Sequence, residues 1–167
     1  MRSLPTVCVR FALSLVLLTS CMTRTEKKPT DLKRPFAGEP VEVILDAFNQ
    51  EQAWGLCTTI DLHGCKKIMN QSKENEEYIK QFVIELCELI DMNRYGAPDI
   101  PWFGTDEIQG YTMIQLIETS CISAHWADDR MFFDLFSCKF YDPYKVIKFT
   151  KKWFESDDVS VSVCIRY

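Results

Sequence analysis

Only two histidines, His63 and His125, occur in 167 residues, and none of the eight cysteines (8, 21, 57, 65, 87, 121, 138 and 164) forms a Cys-x-x-Cys pair. That combination argues against a zinc site, which draws Cys and His ligands from closely spaced motifs. Basic charge is also scarce. Nineteen Lys and Arg against 24 Asp and Glu leave a net charge of −5, without the basic field of a nucleic-acid-binding domain. The one basic cluster, Lys27-Lys28 to Lys33-Arg34, is broken by Pro29 and reads as a solvated linker. With 6 Gly and 7 Pro, most of the chain should be ordered. No long apolar run exists either. Phe11 to Leu18 falls well short of the roughly 20 residues a membrane span needs. What is present is a hydrophobic content of 47%, enough for one compact domain with its own core.

The first 21 residues have the layout of a signal. Arg2 and Arg10 flank a positive start, the apolar run follows, and Leu18-Thr19-Ser20-Cys21 resembles a lipoprotein cleavage box with Cys21 as the lipidated residue. The chain would then be anchored to a bacterial membrane; initiation at Met22 would instead make it cytoplasmic. Residues 22–40 are polar, contain Pro29, Pro35 and Pro40, and read as a tether to a domain over 41–167. An exported chain with six further cysteines invites a disulfide framework. Cys87 and Cys164, however, sit inside apolar periodic segments, where buried free thiols are the plainer reading.

Periodicity predicts a short helix over Val41 to Trp54, a strand over Thr58 to Leu62, and a helix from an Ser72 N-cap to about Met92. The Gly- and Pro-containing residues 93–109 read as a loop. Three strands follow: Tyr111 to Ile117, Ser120 to His125 and Met131 to Cys138, the last two joined at Ala127 to Arg130. Asp142-Pro143 opens a second helix, Asp as N-cap and Pro at the first position. Val159 to Ile165 alternates as a final strand. The order β-α-β-β-β-α-β implies an α+β two-layer sandwich, an antiparallel sheet with helices on one face.

The chemistry-bearing window is Gly110 to Pro143, which holds Ser120, His125 five residues on, and Cys138 at the end of an aromatic strand. Several motifs resemble the bacterial-type S-adenosylmethionine decarboxylases. Asp61-Leu62-His63-Gly64-Cys65 is similar to the family's acidic-x-aromatic-Gly-Cys. Gly110-Tyr111-Thr112 fits Gly-x-Ser/Thr eight residues before the reactive Ser. Thr119-Ser120-Cys121-Ile122-Ser123-Ala124-His125-Trp126 resembles Glu-Ser-His-x-Ser/Thr-x-His-Thr-Trp, and Phe133-Asp134-Leu135-Phe136-Ser137-Cys138 resembles Val-Asp-x-Phe-Thr-Cys.

The resemblance implies self-cleavage between Thr119 and Ser120, leaving a pyruvoyl group made from Ser120. It implies His125 assisting ester formation and elimination, Cys138 protonating Cα, and Thr112 and Asp61 lining the site. It implies a small-molecule substrate, S-adenosylmethionine for spermidine synthesis, and a homodimer whose sheets face each other in four αββα layers. The departures matter. Thr119 stands where the family has Glu, and Cys121 where it has His. Asp106 falls at the position of an adenine-stacking Phe, with Trp102 and Phe103 further off. An acidic Asp106 would suit a basic substrate, ornithine or arginine. A third possibility is an envelope lipoprotein that kept the fold as an inactive binding module. Oxidised, Cys121 could pair with another cysteine and block the site. His63 is read as packing.

Overall fold

Alternation along the strands decides which side of the sheet is core. In β3 (Gly110–Ile117), Met113 is fully buried while its neighbour Ile114 is 48% exposed. The same two-residue period runs through β4 (Ser120–Ala127) and β5 (Arg130–Ser137), where Ile122, Ala124, Phe133 and Leu135 point inward. The computed structural model describes residues 36–50, 52–67 and 69–167. Cys21 and the signal-like stretch lie outside them.

The remaining elements are α1 (Val41–Gln50), β1 (Gly55–Cys65), α2 (Lys73–Leu89), β2 (Trp102–Phe103), α3 (Pro143–Trp153) and β6 (Ser156–Arg166). The six strands form one antiparallel sheet in the order β2-β3-β4-β5-β1-β6. The expected α+β class and its antiparallel sheet are therefore present. Both predicted caps form: the Ser72 hydroxyl accepts from the Asn75 N–H at 3.1 Å, and the Asp142 carboxylate accepts from the Tyr144 and Lys145 N–H groups. Phe82 of α2 holds the layers together. Its ring meets Trp126 and Phe133 from the sheet and Phe149, Trp153 and Phe154 from the α3 region.

Several boundaries differ from the sequence expectation. β1 and β6 each run 11 residues, longer than predicted, because pairing with each other carries the ladder past the alternating apolar stretch. Residues 93–109 hold β2, which pairs Trp102 with Tyr111 and Phe103 with Gly110; a two-residue strand is too short to show a period. Phe36, inside the stretch read as tether, is buried in the core and donates its N–H to the Val163 carbonyl at 2.8 Å.

Candidate active site

The sheet face away from the helices is open. Ile114, Leu116 and Phe132 project from it at 48%, 49% and 39% exposure. Strand register arranges its side chains in lateral rows. One row runs Thr112, His125, Phe132, Asp61, Ser160. The next is Ile114, Ser123, Asp134, Thr59, Ser162, and the third is Leu116, Cys121, Phe136, Cys57, Cys164.

Ser120 sits at the mouth of the β3–β4 hairpin, after the two-residue turn Glu118-Thr119, paired with Ile117 on one side and Ser137 on the other. Its φ is +150°, a backbone conformation that L-residues other than glycine rarely adopt. Neighbours clamp the turn. The Thr119 carbonyl accepts the Cys138 N–H at 3.0 Å, and the Glu118 N–H donates to the Asn93 carbonyl at 3.0 Å. The Ser137 hydroxyl donates to Thr119 Oγ1 at 2.9 Å. Thr119 Oγ1 in turn donates to Met92 Sδ at 3.3 Å, and Lys139 Nζ bonds the Asp91 carboxylate at 2.6 Å. The peptide carbonyl preceding the strained serine is thus already polarised by a fixed backbone donor. That is the arrangement that stabilises charge developing on an attacked carbonyl oxygen.

His125 lies elsewhere. Its Nδ1 shares a 2.8 Å hydrogen bond with Thr112 Oγ1, directly across the strand pair. Phe103, 53% exposed, places its ring 6.4 Å from the imidazole. Gly110 permits this corner: a Cβ there would sit 1.6 Å from the Trp126 carbonyl oxygen, so only glycine lets β3 lie this close to β4. A bend was needed for Ser120 and His125 to meet within one chain. The ladder of β4 is instead continuous from Ser120 to Ala127, which keeps the two residues roughly 16 Å apart. Asp61 shares the row of His125 but lies beyond Phe132, about two strand spacings or ~9.6 Å away. The residues singled out from sequence therefore form two groups: Thr119, Ser120 and Cys138 at the turn, and Thr112 with His125 toward the other end of β3 and β4. Cys138 is exposed.

His63 is exposed rather than packed, because its parity puts it on the open face near the end of β1. Cys121 is separated from Cys57 by Phe136. At about two strand spacings, roughly 9.6 Å, that gap is too wide for a disulfide. Asp106 lies on a short 3₁₀ turn and lines a cavity of about 660 Å³ with Trp102, Glu107, Gln109, Asp128 and Arg130. Two contacts go beyond what the motifs name: Ser137 against Ser120 and Thr119, and Phe103 against the imidazole. The Ala127–Arg130 turn, once set as a two-residue hairpin, pairs Ser120 with Ser137 and could have revealed the first.

Asp134, at the centre of the open face, is held above the usual carboxylate range, chiefly by burial and then by the neighbouring Asp61 carboxylate. The folded chain keeps this proton to higher pH than the unfolded chain does. Stability therefore falls as pH rises from the ordinary carboxylate value through the raised one, and the cost is fully present above it. Asp134→Asn is expected to raise Tm near neutral pH. Thermal melts at acid pH, where the carboxyl is protonated in both states, should show the gain gone.

The sequence pattern of the S-adenosylmethionine decarboxylase family matches residues 56–167. Among curated proteins, no sequence matches. Among solved structures, the adenosylmethionine decarboxylase from Aquifex aeolicus superimposes with a TM-score of 0.56 at 18% identity, covering 68% of this chain and 91% of that one. The fold, the six-stranded sheet and the family pattern over two thirds of its length agree: the chain belongs to the S-adenosylmethionine decarboxylase family.

Proposed function

We propose that this chain is a self-processing, pyruvoyl-dependent decarboxylase of S-adenosylmethionine, supplying aminopropyl groups for spermidine synthesis. One observation carries the reading: the Thr119 carbonyl is hydrogen-bonded by the Cys138 N–H immediately before a serine held at φ +150°. Ser120 Oγ adds to that carbonyl carbon while the Cys138 N–H holds the oxygen's charge. The Thr119–Ser120 C–N bond breaks, the Ser120 nitrogen takes up a proton, and an ester results. Loss of the Ser120 Cα proton then expels the Thr119 carboxylate, and water releases ammonia to leave the ketoacyl end. The residues fit the group, since its carbon skeleton is that of Ser120 itself and its keto oxygen comes from water. A pyruvoyl carbonyl at position 120 supplies the electron sink for loss of CO2.

His125 is the base for this chemistry. Because β4 is straight, His125 and Ser120 do not meet within one chain; in this reading the imidazole comes from a second copy packed open face to open face, and it meets Ser120 at the turn mouth, where a φ of +150° departs from regular strand geometry. The exposed Ile114, Leu116 and Phe132 are the apolar surface such a homodimer would cover, and Thr112 fixes the imidazole orientation. Phe103 offers a flat apolar ring beside it for the substrate's base. Asp61 lines the same face. Cys138 serves twice, through its amide in processing and through its thiol as the acid that protonates Cα.

Those two roles separate experimentally. Cys138→Ala keeps the backbone N–H, so cleavage should persist while turnover falls on the order of 10²-fold, the scale of a lost general acid. Release of CO2 from carboxyl-labelled S-adenosylmethionine measures it, and the reading fails if the processed wild-type chain releases none. A second reading changes only the substrate. Asp106, Glu107 and Asp128 give the 660 Å³ cavity an acidic wall suited to a basic side chain, and release from labelled ornithine or arginine alone would favour it.

A further inference from the structure

Cys57 of β1 and Cys164 of β6 stand directly opposite each other in the antiparallel register. Both project from the open face, and both are half-buried thiols. Directly opposed residues in an antiparallel pair have Cα atoms about 4.5–5.5 Å apart, within the roughly 4.4–6.8 Å that a disulfide spans. The other sheet cysteines have no such partner. Cys65 faces Ser156, and Cys121 faces Leu116 and Phe136.

The position of the pair relative to the cleavage point gives it a consequence. Cys57 belongs to the piece that ends at Thr119, and Cys164 to the piece that begins at Ser120. Resting on the self-cleavage reading, we propose that Cys57 and Cys164 are a redox-active dithiol whose disulfide covalently bridges the two pieces of the processed chain. Without it, the pieces are held only noncovalently, by the β3–β4, β1–β5 and β1–β6 pairings, core packing, and contacts such as the Lys139–Asp91 ion pair. A bridge makes their association intramolecular.

The oxidant is a low-molecular-weight disulfide such as oxidised glutathione. One cysteine thiolate attacks a sulfur of the oxidant, whose S–S bond breaks and expels one glutathione thiolate. The second cysteine thiolate attacks the mixed disulfide and expels the other. Two protein thiols are oxidised to one disulfide, one small disulfide is reduced to two thiols, and no other reactant is needed. The Cys57 thiol is hydrogen-bonded to Cys164, and this bond, burial and the Asp134 charge hold it well above the usual thiol range. The attacking thiolate is therefore scarce at neutrality, and closure should accelerate as pH rises.

The test treats the purified full chain with oxidised glutathione and runs it on denaturing gels with and without reductant. The proposal expects one band without reductant and two with it. Cys57→Ser and Cys164→Ser should each give two bands under both conditions, and Cys121→Ser should behave like the wild type. The same oxidation applied to uncleaved Ser120→Ala should remove two hydrogens from its intact mass and yield a linked peptide pair containing Cys57 and Cys164. Retention of both free thiols in that variant, or a bridge mapped to other cysteines, overturns the dithiol itself. A single wild-type band even under reductant, with the Cys57–Cys164 peptide recovered, overturns the bridging role through the cleavage reading alone.

Discussion

Ser120→Ala is expected to leave the chain in one piece and without decarboxylating power. The methyl group has no oxygen to add to the Thr119 carbonyl, and no ketoacyl end can form from alanine. The fold should survive, because Ser120 lies at a turn mouth, and its hydroxyl makes a long 4.0 Å approach to Cys121 Sγ. The loss is therefore one of chemistry. Circular dichroism should superimpose on the wild type while the denaturing gel shows a single band. Two fragments from Ser120→Ala would move the scission point elsewhere.

Trans-complementation has the second largest expected effect. His125→Ala alone should cleave very slowly, since general base catalysis contributes about 10²–10⁴-fold. Co-produced with Ser120→Ala, it should be cleaved again. In the proposed mixed dimer, the Ser120 of the His125→Ala chain would face the intact His125 of its partner. This result follows from the proposed facing homodimer, in which the continuous β4 keeps Ser120 and His125 of one chain apart, and would not occur if one chain supplied both groups. Differently tagged chains identify which of the two is cut. Mixed dimers that form yet remain uncut would rule out the facing arrangement.

The class of fold was readable because periodicity in β3, β4, β5 and α2 is strong and the capping residues are unambiguous: Ser72, and Asp142 with Pro143. Apolar alternation also marked the inward row that packs on Phe82. What stayed hidden was pairwise. Alternation places His125 on a face but says nothing of its hydrogen bond to Thr112, which needs the β3–β4 register. Likewise Cys57 and Cys164, 107 positions apart in sequence, meet only because β6 returns to pair with β1. Ser120 was found through its motif, whereas its φ and the Cys138 amide on the preceding carbonyl are properties of a turn clamped by Asn93, Ser137 and Met92. Phe103 was assigned to a loop because two paired residues leave no pattern, yet that pairing brings its ring to the imidazole.

Intact-mass analysis of the folded, freshly purified chain tests the central claim most directly. Conversion of Ser120 predicts a C-terminal piece beginning at that residue, its N-terminus blocked by a carbonyl that reacts with a hydrazine, and a second piece ending in the Thr119 carboxylate. A folded chain in which the 119–120 amide is intact and no carbonyl can be trapped would contradict it. The same fold would then be serving as something other than a decarboxylase.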